Sequence, residues 1–251
     1  MAGFRPNQVE ALRPAAFGQF NPDQLGAIPP KAMKAFDNKQ LGALPPTAMA
    51  GMRPEQVRQM PPDAMRGIKP AQMGAMPPDA FSGFKANQVG ELPARAFGAL
   101  QPDQLGAIPP SAMRGMEPAQ LGAVPPEAMA QMSPQQIRQM PPDAMGRLKP
   151  AQMEAMPPTA FAGFRPAQVE EMPARAFAGI QPDQLQAMPA RSFRAMEPNQ
   201  FGALPAETVG ALQPAQLRQL PVDTFSGFRP NQVEAMPPEA FAGFRPNQVE
   251  A

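Results

Sequence analysis

PPDAMRGI and KPAQMGAM, residues 61–68 and 69–76, decide how this chain folds. Each stretch is eight residues long, and the two differ in a regular way. The first opens on proline and carries Ala fourth. The second opens on a residue other than proline and carries Gln fourth. Working outward from residue 61, the two octads alternate in both directions without an insertion or deletion. Four residues, Met1–Phe4, precede the first full octad at Arg5, and seven, Arg245–Ala251, follow the last. Internal repetition at a fixed period marks a repeat architecture, and here it covers all of 1–251, read as a single uninterrupted array.

With the octad positions labelled a to h, every e and every h is apolar. All 20 Met and all 16 Phe lie at e or h, all 38 Pro at a or b, and all 20 Gly at f or g. Proline at about 15% of 251 residues approaches a disordered composition. Yet 43% of the residues are hydrophobic, more than a chain kept unfolded for want of apolar surface would have. Such segregation predicts packed repeats and not a flexible proline-rich linker.

Proline at b suits the first turn of a helix, where its missing N–H would be unpaired anyway. Acidic residues at c (Asp23, Glu55, Asp63, Asp103) complement the helix dipole. Positions e and h, three apart, share one face. The next proline forces the residue before it out of the α region and stops the helix. Each octad therefore reads as a helix of about six residues, roughly 9 Å long, followed by a corner. Burying two apolar side chains contributes roughly 3–6 kcal/mol, whereas ordering eight residues costs about 12. One octad cannot fold alone, so the coils must stack. The expected fold is an all-α solenoid of very short helices, two per 16-residue coil, stacked into an elongated rod. A Met/Phe line (Met33, Met49, Met65, Phe81, Phe97) would form one wall and a Val/Leu line (Val9, Leu25, Leu41, Val57) the other.

A column of glutamines stands out at d of the second octad type: Gln8, Gln24, Gln40, Gln56, Gln72, Gln88, Gln104, Gln120, Gln136, Gln152, Gln168, Gln184, Gln200, Gln216, Gln232 and Gln248. With a as N-cap, d is N3, from which Gln reaches back to the N-cap N–H. First-type octads open on Pro, which has no N–H to satisfy, and carry a small residue at d; Arg13 is the exception. The competing reading is a buried Gln ladder whose amides bond the backbone of an adjacent coil. Both readings are structural. A weaker period of 80 overlies the 16: VRQM (57–60) recurs as IRQM (137–140) and LRQL (217–220), and Asp37, Glu117 and Glu197 are spaced likewise.

The second octad type resembles the LTPEQVAAL-style octapeptide arrays of large secreted bacterial proteins. The first resembles PPEAFxGF-style repeats of similar surface or adhesin-like chains, with PPEAFAGF (237–244) nearest that pattern. The resemblance spans the whole chain. It implies an extracellular or cell-surface structural or adhesive array, with no catalytic residues to carry over.

The residues themselves offer no catalytic, cofactor-binding or metal site. Cys, His, Trp and Tyr are absent, which removes thiol nucleophiles, imidazole acid–base chemistry and Cys/His zinc sites. Carboxylates fall singly, never clustered as a calcium loop requires. Net charge is +1, and no apolar run is long enough to span a membrane. Without aromatic platforms outside e and h, nucleic acid is not an expected partner. The functional expectation is a non-enzymatic stalk, spacer or fibre subunit that binds copies of itself end to end, since its first and last octads keep the apolar pattern of interior ones. A binding module for a surface protein or glycan is the second reading. An engineered repeat scaffold is the third, and the leftover 80-residue period argues against it.

Overall fold

Position b, most often proline, begins the helices throughout. The computed structural model describes residues 4–249. Every octad in that range holds one helix starting at b, from Pro6–Glu10 to Pro246–Val249, and no strand occurs among the described residues. The helices are four to six residues long. Each ends because h and the following a are both extended. Leu44 has φ −60° and ψ 137°, and Pro45 has φ −62° and ψ 143°, before Pro46 restarts the helix. Met52 and Arg53 repeat the corner ahead of Pro54. The fold class is thus the all-α array of short helices that the octads predict.

Both octad types hold α-helices, but 3₁₀ helices occur in one type alone. All 3₁₀ helices, among them Pro30–Ala35, Pro46–Gly51, Pro110–Gly115 and Pro142–Arg147, lie in octads that open on proline. There the first bond runs to the third residue back, as from Ala48 N–H to the Pro45 carbonyl at 3.0 Å. In Gln-type octads the N-cap carbonyl also takes the fourth, as from Val57 N–H to Arg53 at 3.1 Å. A 3₁₀ rise of about 2.0 Å per residue makes those sides of the coil longer than the α sides, at about 1.5 Å.

The chain divides into two compact units, Met1–Ala128 and Met129–Ala251, each wound in the same way. Within each, the coil is longer than the two-helix turn that the sequence period suggests. Helix Pro30–Ala35 packs on Pro6–Glu10 and on Pro54–Gln59, the helices of the third octad before it and the third after it, and not on those two octads away. In the second unit Ala174–Phe177 packs on Pro150–Ala155 and Pro198–Ala203 at the same spacing. Three octads therefore make one turn, and two do not. Hydrogen bonds between turns join residues 28 and 31 apart. They run from d to the h and e carbonyls just before the corner that leads into the octad beneath. Each corner turns the chain by about a third of a circle, where a two-helix coil would need a full reversal. The corner chemistry explains why. Reversing the chain in two residues requires a β-turn, with at least one central residue in the αR or positive-φ region, whereas both corner residues here, such as Leu44 and Pro45, are extended.

This winding sets the packing. An odd number of octads per turn seats each octad on the opposite type, so the Met/Phe and Val/Leu lines interleave and do not form separate walls. Leu25, Met33, Phe81 and Phe97 in the first unit are wholly buried, as are Phe161, Phe177, Leu185 and Phe201 in the second; each contributes roughly 1.5–3 kcal/mol. Turns approach closely at g of the proline-type octads. A Cβ placed on Gly67 would lie 1.9 Å from the Asn38 carbonyl oxygen, and one on Gly179 2.0 Å from that of Pro150.

Candidate functional site

The glutamine column is where the sequence concentrates its polar repetition, and position d places it at N3 of each Gln-type helix. Its two readings turn out to be two ends of one amide. At all sixteen positions Oε1 accepts from the backbone N–H of residue a, as in Arg53 N–H to Gln56 at 2.9 Å and Lys69 N–H to Gln72 at 2.8 Å. Nε2 meanwhile donates to two carbonyls of the preceding turn, those of e and h. Gln56 reaches Leu25 at 2.7 Å and Ile28 at 2.9 Å, and Gln72 reaches Leu41 and Leu44, both at 2.8 Å. Gln40, Gln88, Gln104 and Gln120 do the same in the first unit. In the second the pattern holds for Gln168, Gln184, Gln200, Gln216, Gln232 and Gln248. Gln136 and Gln152 are equally buried. The amide orientation follows from chemistry, because only NH₂ can face two carbonyls and only oxygen can face an N–H.

At Asn21, Asp37 and Ser133 the N-cap side chain also accepts from the N3 N–H and completes the reciprocal box. Arg and Lys at a have no acceptor, so there the glutamine supplies the only side-chain cap. Desolvating an amide without partners costs several kcal/mol; with its oxygen and both N–H groups engaged, the buried glutamine acts as a structural staple.

Three residues outside this column do related work. Ser192, Thr208 and Thr224 stand at d of proline-type octads, wholly buried. Their hydroxyls donate to the carbonyls of Phe164, Ile180 and Met196, each 28 residues back, at 2.9, 2.8 and 2.7 Å. The signal was available in their shared octad position, which the glutamines occupy in the other type.

The column ends unevenly. Gln8 is exposed and Gln24 half-buried; for neither are there e and h carbonyls 31 and 28 residues back among the described residues. At the other edge, Val233 and Phe241 are 42% and 44% exposed, the two large apolar side chains exposed among the described residues. They border an apolar hollow of about 440 Å³ with Phe225, Phe228, Met236, Phe244 and Gln248.

No group of three or more metal-ligating side chains occurs among the described residues. No helix among them is long and apolar enough to cross a membrane. Arg66 pairs with Glu91 and Asp63. The hydrogen bond from Arg66 holds the Glu91 carboxyl below its usual range, and the same bond raises the guanidinium; on an exposed surface such a pair is worth little. No protein-family model and no curated protein matches the chain.

Proposed function

We propose that this chain is a non-enzymatic structural repeat protein, a stalk, spacer or fibre subunit outside a bacterial cell, whose copies stack end to end. One observation supports the reading: a single repeated contact joins each turn to the next, apolar e and h packing closed by a glutamine staple, and the first and last described turns carry complementary halves of it. Val233, Phe241 and the hollow beside them offer apolar surface, and the first described turn offers the exposed Gln8, whose oxygen is on the Arg5 N–H. The register is compatible. Gln248 donates to the Leu217 and Leu220 carbonyls, so a glutamine sixteen residues further on would donate to those of Val233 and Met236. Gln8 of a second copy can take that position with the octad alternation preserved, its helix Pro6–Glu10 lying over Pro238–Gly243. Such a contact is heterologous and does not close on itself, which yields open polymers. The secreted arrays that the octads resemble support the extracellular setting.

Light scattering across a concentration series tests the stacking. The 251-residue chain is expected to gain mass with concentration. Phe241→Lys should weaken the association by at least about tenfold through loss of apolar burial, and Gln8→Ala should weaken it less. A monomer mass at the highest concentration reached overturns the reading.

A further inference from the structure

In the 80-residue recurrence of VRQM, IRQM and LRQL the outer residues pack at e and h, but the Arg-Gln pair between them lies at f and g, outside the capping and staple positions. Arg58 and Gln59, at f and g, come back as Arg138 and Gln139 and as Arg218 and Gln219. Three further cation positions recur with them: Lys34, Arg114 and Arg194 share one octad position, Lys85, Arg165 and Arg245 a second, and Lys69, Lys149 and Arg229 a third. Other cations drift within the same period: Arg53 becomes Ser133 and Gln213, and Arg66 becomes Gly146 and Ser226. In the folded chain the Lys34 and Lys85 series meet the Arg58 series in two of the three copies. Lys34, Arg58 and Lys85, drawn from three octads of the first unit, line one hollow of about 340 Å³ with Gln59. Arg194, Arg218 and Arg245 line its counterpart of about 550 Å³ in the second unit, with Gln219 in the place of Gln59. A third hollow, of about 470 Å³, gathers Arg138, Arg165 and Arg191.

No carboxylate lines any of the three. The cations of the first two are exposed, and none of those six is ion-paired. Several are nevertheless held in place. Arg194 Nε donates to Gln219 Oε1, Arg245 donates to the Leu220 carbonyl at 3.1 Å, and Arg165 to that of Met140 at 2.9 Å. The Arg165 Nε is buried with no partner. Like charges brought together repel, and a chain of net charge +1 has carboxylates enough to neutralise them. Three convergent cations, partly oriented by backbone carbonyls and left without counter-charge, form a receptor for clustered oxyanions.

We propose that these hollows bind an oligoanion carrying closely spaced sulfate or phosphate groups on a non-aromatic backbone, one ligand segment per hollow. The phenylalanines are confined to e and h, and Trp and Tyr are absent, so a nucleobase would find no stacking platform. The inference stands independently of end-to-end stacking.

Isothermal titration of the full chain decides it, using three probes: a heparin-derived sulfated tetrasaccharide, tripolyphosphate and a short single-stranded DNA. We expect saturable binding of the tetrasaccharide or tripolyphosphate at more than one site per chain, weakening with salt. The stronger of the two identifies the natural source of the oxyanions. Arg58→Gln with Arg218→Gln should reduce affinity about tenfold or more. Arg95→Gln with Arg175→Gln removes the same charge from exposed positions outside the hollows and should leave affinity within about twofold, as expected for distant charges screened by salt. Thermal melts establish that both variants are folded. Equal losses in the two variants, tightest binding of the DNA, or no saturable binding of either oxyanion probe overturns the proposal.

Discussion

A single glutamine side chain here joins two levels of structure, because its oxygen caps its own helix while its nitrogen ties that helix to the turn before. Gln72 shows what this demands. It is wholly buried, with Oε1 on the Lys69 N–H and Nε2 on the Leu41 and Leu44 carbonyls, all at 2.8 Å. Gln72→Glu keeps the shape and replaces the donor end with an acceptor facing two carbonyls. We expect a loss of roughly 2–4 kcal/mol at neutral pH, from a buried charge without partners. Protonation restores one donor, so the folded state favours the neutral acid and raises its pKa above the unfolded value of about 4.3. A group raised in this way is least costly below that value, and its penalty grows as pH rises through the folded pKa. Urea melts at pH 4 and pH 7 should therefore converge on the parent's at the acid end. A penalty independent of pH would mean that the amide nitrogen does not carry the interaction. This dual role was half legible in the sequence. Gln at N3 opposite a residue with an N–H identifies the cap, but the second bond depends on where the preceding turn lies.

At the scale of the element, the octad specifies its helix and its corner but not the number of octads in a turn. Pro at b, the apolar pair at e and h, and the stop before the next proline are local chemistry, so helix starts such as Pro54 and Pro102 could be read directly. The period of 16 reports only that two octad types alternate. Closure is set by the angle that two extended residues leave between helices, and no residue pattern with a period of three octads announces it. The same gap hid the cation hollows, since Lys34, Arg58 and Lys85 are neighbours only once the turn is known. Glycine at g reports on the turn-to-turn distance. Gly67→Ala would drive a methyl into the Asn38 carbonyl, and we expect it to cost about 1–3 kcal/mol by overpacking. At Gly90, inside helix Ala86–Glu91, an added Cβ meets only the Gly115 oxygen at 3.4 Å. There alanine should be neutral or stabilise by up to about 1 kcal/mol through helix propensity. Urea midpoints that moved alike for the two variants would contradict the close approach at g.

Within each unit, every packing relation between helices repeats the same two rules. An octad lies on the opposite type three octads away, and a Gln-type octad is stapled to its own type four octads away. Contacts of this kind reach only to neighbouring turns, so stability is close to a sum over repeats and interfaces. Removing repeats should then cost little, provided that the alternation survives. Deleting Pro61–Met76 removes one octad of each type and leaves both rules intact on either side of the junction. Deleting only Pro61–Ile68 removes half as much chain but sets like on like. Gln-type helices following the junction would lie on Gln-type helices, and their amides would meet proline-type octads, whose 3₁₀ sides differ in length from the α sides they replace. The shorter deletion should therefore be the more damaging, lowering the melting temperature by several degrees beyond the longer one, which corresponds to about 1–2 kcal/mol in a domain of this size. Differential scanning calorimetry of the two deletions beside the parent measures this directly. If the eight-residue deletion melts at or above the sixteen-residue one, octad type does not govern how turns pair, and the alternation must answer to something other than packing.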